Sequence, residues 1–260
     1  MADLSVKVAG VDFNSPLIAA SGTFGFGHEY SNFYDLSNLG GISCKGITLK
    51  KRLGNPPPRI AETPSGILNA VGLQNPGVDH FIEKDLPWLK KQGTVIIANI
   101  AGNTQEEYGQ MAEKLSDTDI DMIELNISCP NVKSGGVAFG TSCESVANIT
   151  KYVRDHCKKP LIVKLSPNVT DIAEIAKSAE ANGADAISMI NTLTGMRIAI
   201  NTGRPIIKNN TGGMSGPAIF PVAVRMVWQT ANAVKIPIIG MGGISKWQDA
   251  IEMLMAGATA

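Results

Sequence analysis

The sequence has few of the features that mark a metalloprotein, a membrane protein or a nucleic-acid-binding protein. Its four cysteines, Cys44, Cys129, Cys143 and Cys157, form no C-x-x-C pair and have no histidine at ligand spacing, so neither a zinc site nor an iron–sulfur cluster is expected on this chain. No apolar run approaches about 18 residues, and no signal-peptide pattern is present. These absences predict a reduced, cytoplasmic protein without disulfides and without a membrane span. Neither sign of charge is in excess, Lys plus Arg and Asp plus Glu being 23 each, which argues against nucleic acid or an anionic membrane as partner.

What is there is an ordinary globular composition, 44% hydrophobic, over 260 residues, a length that α/β barrels use as one domain. Short apolar runs alternate with longer amphipathic ones. Strands are predicted over residues 17–20, 42–46, 95–100, 122–127, 161–165, 186–191 and 236–240, and helices over 104–115, 142–157, 171–182, 217–234 and 246–256. Several helices open on a capping Ser, Thr or Asp or on Pro in the first turn. Strand and helix in repeated alternation mean a parallel sheet. A doubly wound sheet would need fewer strands and a G-x-G-x-x-G loop after the first, a spacing that Ser21-Gly22-Thr23-Phe24-Gly25-Phe26-Gly27 lacks. The prediction is a single (β/α)8 TIM-barrel domain spanning residues 1–260, with an N-terminal hairpin over residues 6–11 plugging its floor and its eighth strand missing or incomplete.

In such a barrel the chemistry gathers at the C-terminal strand ends. Those ends carry Ser21, Lys45 with Gly46, Asn99, Asn126, Lys164, Asn191 with Thr192, and Gly240-Met241-Gly242-Gly243. This polar, cationic ring with almost no carboxylate suits an anionic, amide-rich ligand, because a lysine placed there needs an acceptor; the alternative acceptor for one of them is Glu124. The glycine run at residues 240–245 leads into a helix, the place where barrels hold phosphate through backbone N–H groups. Thr211-Gly212-Gly213-Met214-Ser215-Gly216-Pro217 reads as a second glycine loop, closed by proline at the first helical position. Just past the fourth strand comes Asn126-Ile127-Ser128-Cys129-Pro130-Asn131. A lone thiol at a strand exit, between two asparagines, is placed to act on a bound molecule; the alternative is a buried structural cysteine.

The stretches at residues 21–27, 69–77 (Asn-Ala-Val-Gly-Leu-Gln-Asn-Pro-Gly), 124–131, 163–168 (Val-Lys-Leu-Ser-Pro-Asn) and 238–244 together resemble the dihydroorotate dehydrogenases, and the resemblance runs from about residue 4 to the end. Cysteine rather than serine at position 129 resembles class 1, the soluble group, and the run Gly22 to Gly27 resembles its NAD-linked subtype. The resemblance implies FMN as cofactor and oxidation of (S)-dihydroorotate to orotate in de novo pyrimidine biosynthesis. Cys129 would be the base that removes the C5 proton, with hydride passing from C6 to FMN. By matched position, Ser21, Lys45, Gly46, Asn99, Asn126, Lys164, Ile190, Gly216, Gly242 and Gly243 would contact FMN. Lys45, Asn69, Ala70, Val71, Gly72, Leu73, Asn126, Asn191 and Thr192 would contact the substrate. Asparagine suits that task because one side chain offers both a donor and an acceptor. Residues 130–140 would form a lid that excludes water from the site.

With no dinucleotide fingerprint and no cluster ligands on the chain, NAD would be reached through a second subunit carrying FAD and a [2Fe–2S] cluster. The resemblance implies a homodimer within a heterotetramer. It also implies an eighth strand, a further Gly-Thr backbone site for the FMN phosphate and a closing helix beyond Ala260. The rival readings are a fumarate-dependent class 1 enzyme, a related FMN pyrimidine oxidoreductase, and a cofactor-free barrel serving as a partner-binding or structural subunit.

Overall fold

Strand runs that are apolar at nearly every position, such as Leu161-Ile162-Val163, have no face to offer water and require a sheet covered on both sides. The computed structural model describes residues 3–128 and 139–260. It meets that requirement with parallel strands β1 (Ile18–Ala19), β2 (Gly41–Ser43), β3 (Val95–Ile100), β4 (Met122–Asn126), β5 (Leu161–Lys164), β6 (Ala186–Met189) and β7 (Ile238–Gly240). Each pairs with the next in sequence, the curled sheet of a (β/α)8 barrel. Beyond β7 the Thr259 N–H donates to Ile238 O (2.7 Å) and the Gly240 N–H to Ala260 O (2.9 Å), so residues 259–260 run beside β7 where an eighth strand belongs. Among the described residues no strand joins them to β1.

Because side chains alternate along a strand, the barrel interior sorts into layers. The lower layer is Ile97, Met122, Ile162, Ala186 and Ile239, packed with Val8 and Phe13. Those two come from an antiparallel hairpin, Val6–Val8 with Val11–Phe13, which plugs the barrel floor and extends two residues beyond the predicted span. Two positions further along β3 to β6 stand Asn99, Glu124, Lys164 and Ser188, all buried. An apolar layer therefore lies directly beneath a polar one. The outward side chains, Ile96, Ile123, Leu125, Val163 and Ile187 among them, join the larger core against the helices.

The principal helices are α1 (Gln105–Ser116), α2 (Cys143–His156), α3 (Ile172–Ala181), α4 (Phe220–Ala231) and α5 (Trp247–Met255). Thr104, Ser142 and Asp171 cap the first three, their side-chain oxygens accepting from backbone N–H groups of the first turn. None of the helices among the described residues is long and apolar enough to cross a membrane. Cys44 is fully buried, and burial, with smaller contributions from the charges of Asp85 and Glu124, pushes its thiol far up from the ordinary value. Burial also raises Cys157, whereas Cys143 is exposed.

The structure corrects the reading of residues 211–217 as a loop. Thr211–Ser215 is an inner strand of a four-stranded antiparallel sheet in the order Leu193–Met196, Thr211–Ser215, Gly66–Asn69, Ile60–Thr63. Its glycines answer close packing rather than a turn: a Cβ on Gly213 would collide with the Thr192 side chain, and one on Gly212 with Asn69 O. Pro217 does open a helical turn, Pro217–Ile219, ahead of α4. The ladder of β2 also stops short of residue 46, because the Lys45 N–H turns away to Gly25 O (2.8 Å).

Candidate functional site

The barrel strand ends and the antiparallel sheet border a cavity of about 540 Å³ that also runs down between β1 and β7 to Ile97, Ile239, Met253 and Ala260, its size within the range of small-molecule sites. Of the residues singled out in the sequence, Lys164 reaches it from β5, Ile190, Asn191 and Thr192 from the exit of β6, and Asn69 from the antiparallel sheet. Gly216, Gly242 and Gly243 line it from two glycine turns. The Asn69 amide donates to Gly213 O (3.3 Å), which ties this side chain to the strand facing it.

The floor is set by the polar layer. Glu124 and Lys164 are 1% and 5% exposed, with Lys164 Nζ 3.9 Å from the Glu124 carboxylate and 3.3 Å from Ser21 Oγ. Burial opposes ionisation of Glu124 most strongly. The Lys164 ammonium and hydrogen bonds from Ser188, Ser43 and Asn99 together outweigh it and hold the carboxyl below its usual range. From Glu124 a chain of side chains climbs to the cleft wall. The Asn99 amide donates to Glu124 and its oxygen accepts from Asn126 (3.2 Å). The Asn126 oxygen accepts from Ser128 Oγ (3.2 Å), and Ser128 Oγ accepts from Asn191 (2.7 Å).

The glycine turns pack against each other. Gly216 and Gly243 have φ of 105° and 77°, in the region that favours glycine, and a Cβ on Gly243 would lie 2.8 Å from Gly216 O. A Cβ on Gly242 would meet Ala223, Ile190 and Ile219 at 3.3 Å. Bare backbone beside an apolar wall and above a buried ammonium is a donor set that fits a flat, phosphate-bearing cofactor such as FMN. Ile190 and Ile219 would flank its ring system, Lys164 would face its electron-rich end, and the glycine turns would take its anionic tail.

The remaining predicted residues lie around this cleft rather than on it. Asn99 and Asn126 are in the buried chain just described. Gly46 separates Asn99 from Leu73, since a Cβ there would be 3.1 Å from each. Ala70, Val71, Gly72 and Leu73 form a turn clamped from outside the cleft. The Ala70 N–H donates to Arg59 O (2.7 Å) and the Asn55 N–H to Val71 O (2.9 Å). Asn75 donates to Leu73 O (2.7 Å) and accepts from the Gly77 N–H (2.9 Å). Leu73 itself has φ 55°, a conformation uncommon for a side chain of its size. Cys129 and most of the proposed lid, residues 130–138, lie outside the described residues.

Sequence reasoning missed Ser43, Ser128 and Ser188, and it treated Glu124 only as a possible partner for a lysine. A serine inside an apolar run carries no pattern of its own. The usable signal was Glu124, a carboxylate in a strand otherwise buried on both faces, which must find several donors.

Comparison with known proteins identifies the family. A family profile described as dihydroorotate dehydrogenase matches residues 3–260. The catalytic subunit of dihydroorotate dehydrogenase B (NAD(+)) from Lachnoclostridium phytofermentans is 59% identical over 255 residues, covering 98% of this chain and 85% of that protein. The protein of the same description from Bacteroides thetaiotaomicron is 57% identical over 261 residues, covering 100% and 86%. Among solved structures, that of DHODH from Eimeria tenella in complex with ferulenol superposes with a TM-score of 0.83 over 99% of this chain and 77% of that one, at 24% identity, a likeness of fold. The chain belongs to the dihydroorotate dehydrogenase family.

Proposed function

We propose that the chain oxidises (S)-dihydroorotate to orotate in pyrimidine biosynthesis, as the FMN-binding catalytic subunit of an NAD-linked enzyme. The observation that carries this reading is the continuous chain from Lys164 through Glu124, Asn99, Asn126 and Ser128, all buried, to Asn191 on the cleft wall. It joins the place suited to a flavin to the place suited to an amide-rich anion. FMN, when bound, supplies the acceptor for the hydride leaving C6. Cys129 takes the C5 proton, while Asn69, Asn191 and Thr192 hold the ring amides and carboxylate, and Lys45, from the exit of β2, reaches in to touch both substrate and cofactor when they are bound. Residues 1–260 act as one domain of a cytoplasmic protein. The electrons leave through a partner subunit carrying FAD and a [2Fe–2S] cluster, in keeping with the designation "catalytic subunit" that the relatives bear, and the chain pairs as a homodimer within a heterotetramer.

The test is an absorbance spectrum of the purified chain from 300 to 550 nm, before and after adding dihydroorotate without oxygen. Flavin bands that bleach are expected; bands that persist would remove the substrate, and no bands would remove the cofactor. NAD reduction is expected only after the iron–sulfur flavoprotein is added. The rate of flavin reduction should also rise toward alkaline pH, since a free thiol ionises near about 8.5. A flat profile between pH 6 and 9 would exclude Cys129 as the base.

A further inference from the structure

The polar layer of the barrel interior contains a carboxylate to which the proposed reaction gives no task. Glu124 lines the cleft floor beside Lys164 and Ser43. Its Oε1 accepts from Ser188 Oγ (2.6 Å), and its Oε2 from Ser43 Oγ (2.7 Å) and the Asn99 amide. Side chains from β2, β3, β5 and β6 thus converge on one residue of β4. A buried ion pair is seldom worth more to folding than apolar residues of the same volume, so stability alone does not account for this convergence.

We propose that Glu124 is a positioning residue for the reaction, setting the net charge that Lys164 presents to the cofactor and, through Asn99, the orientation of the asparagines that hold the substrate. This rests on the assignment of FMN and dihydroorotate to the cleft. An ionised carboxylate only accepts. It therefore dictates that Asn99 turns its NH2 down and its oxygen up, that Asn126 donates to that oxygen, and that Ser128 donates to Asn126 and receives Asn191. The Asn191 oxygen in turn accepts from the Thr192 N–H (2.7 Å). The charge at the bottom thus sets the sense of Asn99, and through it Asn126 is held in the sense that the Ser128 N–H (3.4 Å) also requires. The same charge lies 3.9 Å from Lys164 Nζ, so a bound flavin faces a pair that is nearly neutral rather than a bare cation. Removing the negative charge would favour the more negative, reduced state of the cofactor. A glutamine at this position would bring its own NH2 among three converging donors and unsettle the asparagine chain.

The full chain loaded with FMN, as wild type, Glu124→Gln and Glu124→Asp, tests this through three readouts: the midpoint potential of bound FMN, the dissociation constant of orotate from the flavin spectrum, and the thermal midpoint. For Glu124→Gln, reduced FMN should be favoured over oxidised FMN at least tenfold more than in wild type, an upward shift of about 30 mV for a two-electron couple. Orotate should bind at least tenfold more weakly. Glu124→Asp keeps the charge but not the reach, so its potential should stay with wild type while orotate weakens. A Glu124→Gln protein that loses thermal stability but keeps the wild-type potential and orotate affinity would overturn the proposal. Should that variant not fold, Glu124→Asp decides: weaker orotate binding at an unchanged thermal midpoint supports the role, and unchanged binding overturns it. Wild-type protein that binds no FMN, or whose FMN dihydroorotate does not reduce, overturns the underlying assignment and the proposal with it, before any variant is compared.

Discussion

The floor of the cleft carries its polar groups on parallel strands buried on both faces, whereas the opposite wall carries them on an antiparallel sheet whose Ile60, Ile67 and Met196 are 53%, 38% and 48% exposed. On the floor, position is enforced electrically, because a displaced Lys164 or Glu124 would be a charge without a partner in the barrel interior. On the wall, position is enforced by shape, with Gly212 and Gly213 letting Asn69 and Thr192 approach the strand between them. One site thus combines two modes of precision that fail in different ways.

Truncation should separate them most sharply. Glu124→Ala leaves Lys164 buried without its counter-charge and should cost about 3–5 kcal/mol in urea unfolding, while Met196→Ala on the wall should stay within about 0.5 kcal/mol. Equal losses would dissolve the contrast. A smaller effect tests the wall on its own terms. Gly213→Ala forces a methyl into Thr192 and should cost about 1–3 kcal/mol. Gly195→Ala, whose Cβ would find Leu68 at 3.5 Å and Met214 at 3.7 Å, should be neutral or stabilising by about 0.4–1 kcal/mol. If both alanines behaved alike, close approach would not be the reason for glycine in this sheet.

The smallest effect is in pH. The folded-state pKa of Glu124 lies below its ordinary value of 4.5, burial being outweighed by Lys164 and the three donors. The stability it contributes is therefore complete above 4.5 and is lost as the pH falls through the lower, folded value. Wild type should lose more stability than Glu124→Gln on acidification past that point. Parallel acid limbs in the two proteins would mean that the floor is not held by charge.

The floor was also the more legible half. Residues 95–100 read as a strand with the bounds the structure has, because Val95-Ile96-Ile97-Ala98 is apolar on both faces and admits little else. Lys164, Asn126 and Asn191 stand out at the ends of such runs as polar residues where apolar ones are expected. The wall was not legible. Thr211 to Ser215, with two central glycines, has the composition of a turn, and only its pairing with Asn69 and Leu193 makes it a strand. Ile60 to Thr63 is equally mute, since its neighbour in the sheet, not its own pattern, supplies its partner. Serines 43, 128 and 188 acquire meaning only from the groups they reach across strands, which no single run of sequence displays.

The unequal burial of the thiols has a practical consequence for chemical labelling. The thiolate is the form that attacks alkylating reagents, so Cys44, enclosed and held protonated, and Cys157, partly so, should stay silent at neutral pH. Cys143, exposed at the start of α2, should take up reagent readily. Replacing it with serine would clear that background. The alkylation that remained, followed with and without orotate, would then report on Cys129.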